Sequence, residues 1–196
     1  MKRSAFWKSL IAAALVMAAS THPVLAATTE RPDDDMRQLL RDTIDKANSF
    51  KDRFDAEVWL VDMSGRMQRY VPDPDERLRI LRLVHEESHR FNLKPEIVLS
   101  VIHVESLFDR YAISPVGAQG LMQVMPFWRD EIGKSHDNLT DIATNIRYGC
   151  AILSAYLQRE DGNLRRALAR YNGSLGKNWY PEKVFDAWER HWFVKY

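Results

Sequence analysis

Pro95-Glu96-Ile97-Val98-Leu99-Ser100-Val101-Ile102-His103-Val104-Glu105-Ser106-Leu107-Phe108 is the stretch on which the fold turns. Pro95 suits the first turn of a helix, where its missing N–H costs nothing and its fixed φ is already helical. At about 100° per residue, Ile97, Val98, Val101, Ile102, Val104 and Phe108 fall on one arc, predicting a helix that ends near Phe108 or Asp109. Glu105 falls near the middle of the same arc. An ionised carboxylate on a core-facing arc is costly, so it neutralises, finds a cation or lines a functional cleft. Desolvation raises the pKa of such an acid, which is what a general acid at neutral pH requires. Periodicity by itself leaves open an ion pair with an arginine elsewhere.

Working outward, Pro72-Asp73-Pro74-Asp75 is the clearest internal break, with Asp73 or Asp75 placed to cap a helix predicted over Glu76 to Asn92. From Met36 to about Val71 the apolar residues recur at helical spacings, apart from a weak alternating run at Glu57 to Met63. Tyr111 to Gly120, Gly133 to Asn138 and Asn172 to Lys177 read as loops by their Gly, Pro, Ser and Asn content. Helical patterning returns at Ile142 to Arg159, Leu164 to Tyr171 and Glu182 to Phe193. The fold class is therefore all-α.

The chain has 196 residues, 45% hydrophobic and 28% charged, which fits a globular domain. Lys plus Arg number 28 against 27 Asp plus Glu, so the net charge of +1 offers no basic field for nucleic acid. Lys2, Arg3 and Lys8 precede an apolar run from Leu10 to Ala19, followed by Pro23 and Val24-Leu25-Ala26. This is the layout of a secretory signal cleaved after Ala26. The run is about half the ~20 residues that span a bilayer, although an uncleaved anchor is the alternative. Cys150 is the only cysteine and reads as buried, so no intrachain disulfide is expected. The organisation is then a signal over 1–26, a linker and N-terminal helical extension over 27–75, and the main domain over 76–196.

Three separated strings occur in order: Glu105-Ser106 at a helix end, Gly120-Leu121-Met122-Gln123 after a Gly-rich loop, and Tyr171-Asn172 after a helix. With Ser114-Pro115-Val116-Gly117-Ala118 between the first two, they make Leu78 to Trp192 resemble the soluble lytic transglycosylase catalytic domain, a goose-lysozyme-like fold. The resemblance implies cleavage of the MurNAc–GlcNAc bond of peptidoglycan glycan strands with formation of a 1,6-anhydro ring, and no metal or organic cofactor. It implies that Glu105 acts as acid and then base, and that Ser114, Gln123, Met125, Tyr171 and Asn172 bind substrate. Tyr171 would orient the carboxylate or offer a ring face. The signal layout predicts a periplasmic enzyme if the source is Gram-negative and an extracellular or wall-associated one otherwise, without stable membrane insertion once the signal is removed. Two departures stand out: Arg170 replaces the commoner small residue before Tyr171, and Ser174-Leu175 lies where Gly-Pro often follows.

Other readings compete. His85-Glu86-Glu87-Ser88-His89 fits the H-E-x-x-H pattern of zinc proteases, but a solvated polar face suits it better, because Asn92 and Pro95 stand where a metzincin continuation would place Gly and His. A hydrolytic muramidase needs a second carboxylate, for which Asp109, Asp137 and Asp141 are the candidates. A non-catalytic wall-binding or secretion accessory would keep the fold without needing Glu105. The terminal aromatics Trp179, Tyr180, Trp188, Trp192, Phe193 and Tyr196 read as closing the helical core rather than stacking sugars.

Overall fold

The computed structural model describes residues 53–195, and the signal and linker readings for residues 1–52 lie outside them. Among the described residues the elements are α1 (Arg53–Met67), α2 (Pro74–Arg90), α3 (Pro95–Ser106), α4 (Trp128–Ile132), α5 (Ile142–Arg159), α6 (Leu164–Tyr171), α7 (Trp179–Ala187) and a π-helical turn (Trp188–Trp192). Among these residues there is no strand, only the isolated antiparallel bridges Ile113 to Gln119 and Gln119 to Val124. The fold is all-α, and no described helix is long and apolar enough to cross a membrane.

Short side-chain caps set several helix starts. Asp73 accepts from the Asp75 N–H with Pro74 opening α2, Asp141 accepts from Thr144 at the start of α5, and Asn163 from Arg166 at the start of α6. Each such cap contributes about 1 kcal/mol. Helix α3 lacks a side-chain cap, yet every residue from Glu96 to Ile102 is buried, because α2, α7 and the π turn pack around it. A helix enclosed on all sides buries more than one arc. That is why α3 buries Leu99 and Ser100 as well as the predicted stripe.

Helix α1 lies in the segment assigned to the extension, and its Leu60, Met63 and Met67 share one core with Leu81, Val84 and Ile102. Buried Arg77 ties α1 to α2, donating to Ser64 Oγ at 2.9 Å and the Val71 carbonyl at 2.6 Å. The alternating run at Glu57 to Met63 is helical, since alternation this short is outweighed by packing against α2.

Two boundaries differ from the pattern in the sequence. Helix α3 stops at Ser106, because Leu107 and Phe108 take left-handed φ angles of 51° and 69°. The closing helix starts earlier, at Trp179, and widens into the π turn at Trp188, which places Trp192 fully inside the protein against Phe108. Helix α4 has five residues, too short to leave a periodic signal.

Candidate active site

Glu105 sits in the last turn of α3, half-buried, and accepts a hydrogen bond from Tyr180 Oη at 2.5 Å on its Oε1. Burial pushes its pKa up to about 7, against a pull downward from the Tyr180 bond. The end of a helix adds to the upward push, since its exposed carbonyls disfavour a negative charge. The other deeply buried glutamates are compensated. Glu87 pairs with Arg90 and Arg147, and Glu160 with Arg166 and Arg170. Glu96 accepts from Trp59 Nε1 at 3.0 Å in the first turn of α3, where the helix N-terminus favours it. Among the described residues Glu105 has no cation partner, and burial holds its carboxyl close to protonation at neutral pH.

The wall facing Glu105 is a tightly turned loop over residues 111–125. The Ser114 hydroxyl accepts from the Ala118 N–H at 3.0 Å, and the Ala118 carbonyl accepts from the Ser114 N–H, closing the loop on itself. Gln123 donates its Nε2 to the carbonyls of Ala112 and Gly120, which leaves Oε1 as the end available to a ligand. Met125 follows, partly exposed. Ser106, next to Glu105, donates to the Leu121 carbonyl at 2.8 Å and so bolts this loop to the end of α3.

Tyr171 closes the third side from α6. Its hydroxyl donates to the Met122 carbonyl at 2.7 Å, and its pKa is raised well above the ordinary phenol by burial and then by the nearby Glu105 charge. The hydroxyl bonded to the Glu105 carboxylate is thus that of Tyr180, while the Tyr171 hydroxyl is bonded to the loop. Asn172 ends α6 and is exposed beside it. Tyr171 is therefore tied to the Met122 carbonyl and feels the Glu105 charge. Ser114 lies within the loop and Asn172 at the end of α6. Three of the non-glycine residues with left-handed φ, Leu107, Phe108 and Gln123, lie just after α3 or in the loop. Such conformations cost of order 1–3 kcal/mol and gather at functional sites.

Sequence reasoning missed Tyr180 because it stands in a run of aromatics that reads as core. The ring is indeed buried, and only the hydroxyl's aim at Glu105 marks it out. It also missed Asn145, whose buried amide had no periodic signature. Arg170, the departure noted before Tyr171, turns away from the cleft and binds Glu160 with Arg166. The open pocket lined by Arg159, Glu160, Asp161, Asn163, Arg166 and Arg170 contains none of the predicted site residues.

His103, two residues before Glu105, faces the opposite cluster. Burial and then the neighbouring His191 push its pKa down to about 4, and Trp192 Nε1 donates to its Nδ1 at 3.2 Å. It is therefore neutral, and its Nδ1 is occupied as an acceptor. The His85 to His89 stretch does not present a metal face. His85 packs edge-on against Trp59, Glu86 pairs with Arg82, and His89 is exposed. Glu87 and Ser88 of that stretch are buried rather than solvated, because α2 packs against α1, α3 and α5 together. Among the described residues no three His, Cys, Asp or Glu side chains converge.

The carboxylates considered as partners of Glu105 are committed elsewhere. Asp109 accepts from the Tyr111 N–H at 2.8 Å in its own turn. Asp137 accepts from Tyr148 Oη at 2.5 Å and from the Lys134 N–H at 3.0 Å. Asp141 caps α5 and faces Arg79.

Comparison with known proteins points the same way. The family described as Transglycosylase SLT domain matches residues 82–189. A protein named transglycosylase from Enterobacteria phage PRD1 is 38% identical over 104 residues, covering 50% of this chain and 38% of its own. A membrane-bound lytic murein transglycosylase C from Yersinia enterocolitica is 32% identical over 114 residues, covering 50% and 32%. Its namesake from Klebsiella pneumoniae is 33% identical over 114 residues, with the same coverage. The chain thus spans only about a third of the length of these curated relatives.

Proposed function

This chain belongs to the transglycosylase SLT domain family, and from that premise we propose that it is a peptidoglycan lytic transglycosylase using Glu105 as its single acid and base. The observation that carries the reading is the state of Glu105, a half-buried carboxyl with a pKa raised to about 7 and a tyrosine hydroxyl, not a cation, as its partner. Near neutral pH such a group is protonated in a large fraction of molecules, as a general acid must be.

The reaction then runs in two proton transfers. Glu105 gives its proton to the glycosidic oxygen as the bond between N-acetylmuramic acid and N-acetylglucosamine breaks, and positive charge develops at the muramic acid C1. The new Glu105 carboxylate takes the proton of the C6 hydroxyl of the same sugar, whose oxygen bonds to C1 and forms the 1,6-anhydro ring. The proton balance returns Glu105 to its starting state, so no water, metal or organic cofactor is consumed. Tyr180 strengthens its bond when the carboxylate ionises, which steadies the group between the two transfers.

We place the substrate along the loop and α6, with Ser114, Gln123, Met125, Tyr171 and Asn172 as its binding residues, and residues 76–196 as the catalytic domain. Gln123 Oε1 is the acceptor suited to an N-acetyl N–H. Support for a single-carboxylate route comes from the committed state of Asp109, Asp137 and Asp141. The signal-like start, with Lys2, Arg3 and Lys8 ahead of an apolar run, supports export to the periplasm.

The deciding experiment is mass spectrometry of soluble products after digestion of purified peptidoglycan. Anhydro-muramic ends support the lyase, and reducing ends alone would make the enzyme a muramidase. Absence of any release by protein whose Glu105 is intact and folded would favour a non-catalytic wall-binding role.

A further inference from the structure

Asn145 lies on α5 and is 1% exposed. Its side chain makes three hydrogen bonds, all to backbone. Oδ1 accepts from the Met122 N–H at 2.7 Å. Nδ2 donates to the carbonyls of Gln119 at 2.8 Å and Leu139 at 2.7 Å. One acceptor and two donors are used together, which fixes the amide's orientation.

Asparagine is the side chain that can do this here. Aspartate of the same shape has no donor when ionised and one when protonated, so at least one of the two carbonyls would lose its partner. A buried polar group left without its partner costs ~1–3 kcal/mol. Gly120 belongs to the same device. With φ at +74°, a Cβ there would overlap the Leu139 carbonyl oxygen and the Asn145 amide, so only glycine lets α5 approach this closely.

The clamped turn reaches the chemistry through its carbonyls. The Leu121 carbonyl accepts from Ser106, the residue after Glu105, and the Met122 carbonyl accepts from Tyr171 Oη. The Gly120–Met122 turn is thereby held from α5 by Asn145, from α3 by Ser106 and from α6 by Tyr171. Tyr180 from α7 bonds to Glu105, and the Glu105 charge in turn raises the pKa of Tyr171 on α6. Of the two tyrosines, Tyr171 is the one fixed by the turn.

We propose that Asn145 is a positioning residue for the reaction: it holds the Gln119–Met122 turn and, through the Met122 carbonyl, sets where Tyr171 stands beside Glu105. The proposal rests on the reading of Glu105 as the acid and base. Loss of the amide frees the Met122 N–H and the turn, loosens the seat of Tyr171 and admits water to the carboxyl group.

The test is a double-mutant cycle of Asn145→Ala with Tyr171→Phe, alongside Asn145→Asp. The readouts are kcat and KM on purified peptidoglycan, and the titration of the Glu105 carboxyl followed by carbon NMR. Because the two residues act through one carbonyl, each single variant should lower kcat by about tenfold with a smaller change in KM. The double variant should be little worse than Asn145→Ala alone. The Glu105 titration should move down toward the ordinary glutamate range in Asn145→Ala and in Tyr171→Phe. A folded Asn145→Ala protein with unaltered kcat, or fully additive effects in the cycle, would overturn the proposal. Should the Asn145 variants fail to fold, Tyr171→Phe decides, since it removes only the hydroxyl bond to Met122. An unmoved Glu105 titration and unchanged kcat in that variant sink the idea. Failure of the Glu105 reading is separate, because Glu105→Gln would then retain turnover while the NMR titration still reports on Asn145.

Discussion

Tyr180 Oη stands 2.5 Å from Glu105 Oε1, joining the last helix to the end of the central one across 75 residues of sequence. The bond works against the main force on Glu105, because burial raises its pKa and the hydroxyl lowers it. Removing the hydroxyl leaves the raising force unopposed. Tyr180→Phe should therefore shift the alkaline limb of the activity profile to higher pH, since Glu105 must be protonated to act as an acid and would stay so for longer. It should also lower kcat by about tenfold, the scale of one charge-assisted bond to the ionised intermediate state. A pH profile of both proteins checks this, and a limb that moves to lower pH would count against the assignment of Glu105.

The same raised pKa has a consequence for stability. The folded state binds the Glu105 proton more tightly than the unfolded chain, whose value is near 4.5, while the folded value is about 7. Stability from this group is thus full below about pH 4.5 and declines as pH rises to about 7. At roughly 1.4 kcal/mol per pKa unit the total is up to about 3 kcal/mol. Glu105→Gln should remove that decline, so the variant gains on the parent as pH rises from 4.5 to 8. Urea unfolding at the two pH values measures it, with turnover lost in the same protein.

Much of this was legible in the sequence, and the reasons differ from residue to residue. Helices α5 and α6 could be read to their ends because their apolar residues keep helical spacing. Glu105 was visible as a charge on an apolar face. Tyr180 and Asn145 were not visible, because each owes its role to a partner far along the chain, and neither a buried aromatic nor an asparagine within a helix breaks any local pattern. Ser88 and Glu87 misled for the related reason that the number of neighbours around α2 cannot be read from α2 alone.

Two glycines should respond in opposite directions to alanine. Gly65 lies exposed within α1 with nothing near its missing Cβ, so Gly65→Ala should stabilise by about 1 kcal/mol through helix propensity. Gly149 lies within α5 against Met122, whose own Cβ would be 2.7 Å from the added carbon. Overpacking of this kind costs ~1–3 kcal/mol, and it would press on the residue that Tyr171 and Asn145 hold. Gly149→Ala should therefore lower both the melting temperature and kcat, whereas Gly65→Ala leaves kcat unchanged.

Cys150 is fully buried, and its thiol is pushed far above the ordinary range by burial and then by the Glu87 charge. Thiolate is the reactive form. Native protein should therefore resist a chromogenic disulfide reagent at pH 8 for as long as it remains folded, and react with one equivalent in guanidinium. Fast labelling of the native protein would show that α5 opens locally.

The choice between lyase and hydrolase also has a mutational answer. An inverting muramidase needs a carboxylate to activate water, and a retaining one needs a nucleophile, so either would lose its activity when that group became an amide. Asp109, Asp137 and Asp141 are held in a turn, on Tyr148 and at a helix cap respectively. Asparagine can accept hydrogen bonds from the same positions. Asp109→Asn, Asp137→Asn and Asp141→Asn should each keep kcat within about twofold, under roughly 0.5 kcal/mol on the barrier. A loss of a hundredfold or more in any one of them, with the protein still folded, would identify a second catalytic carboxylate and favour hydrolysis.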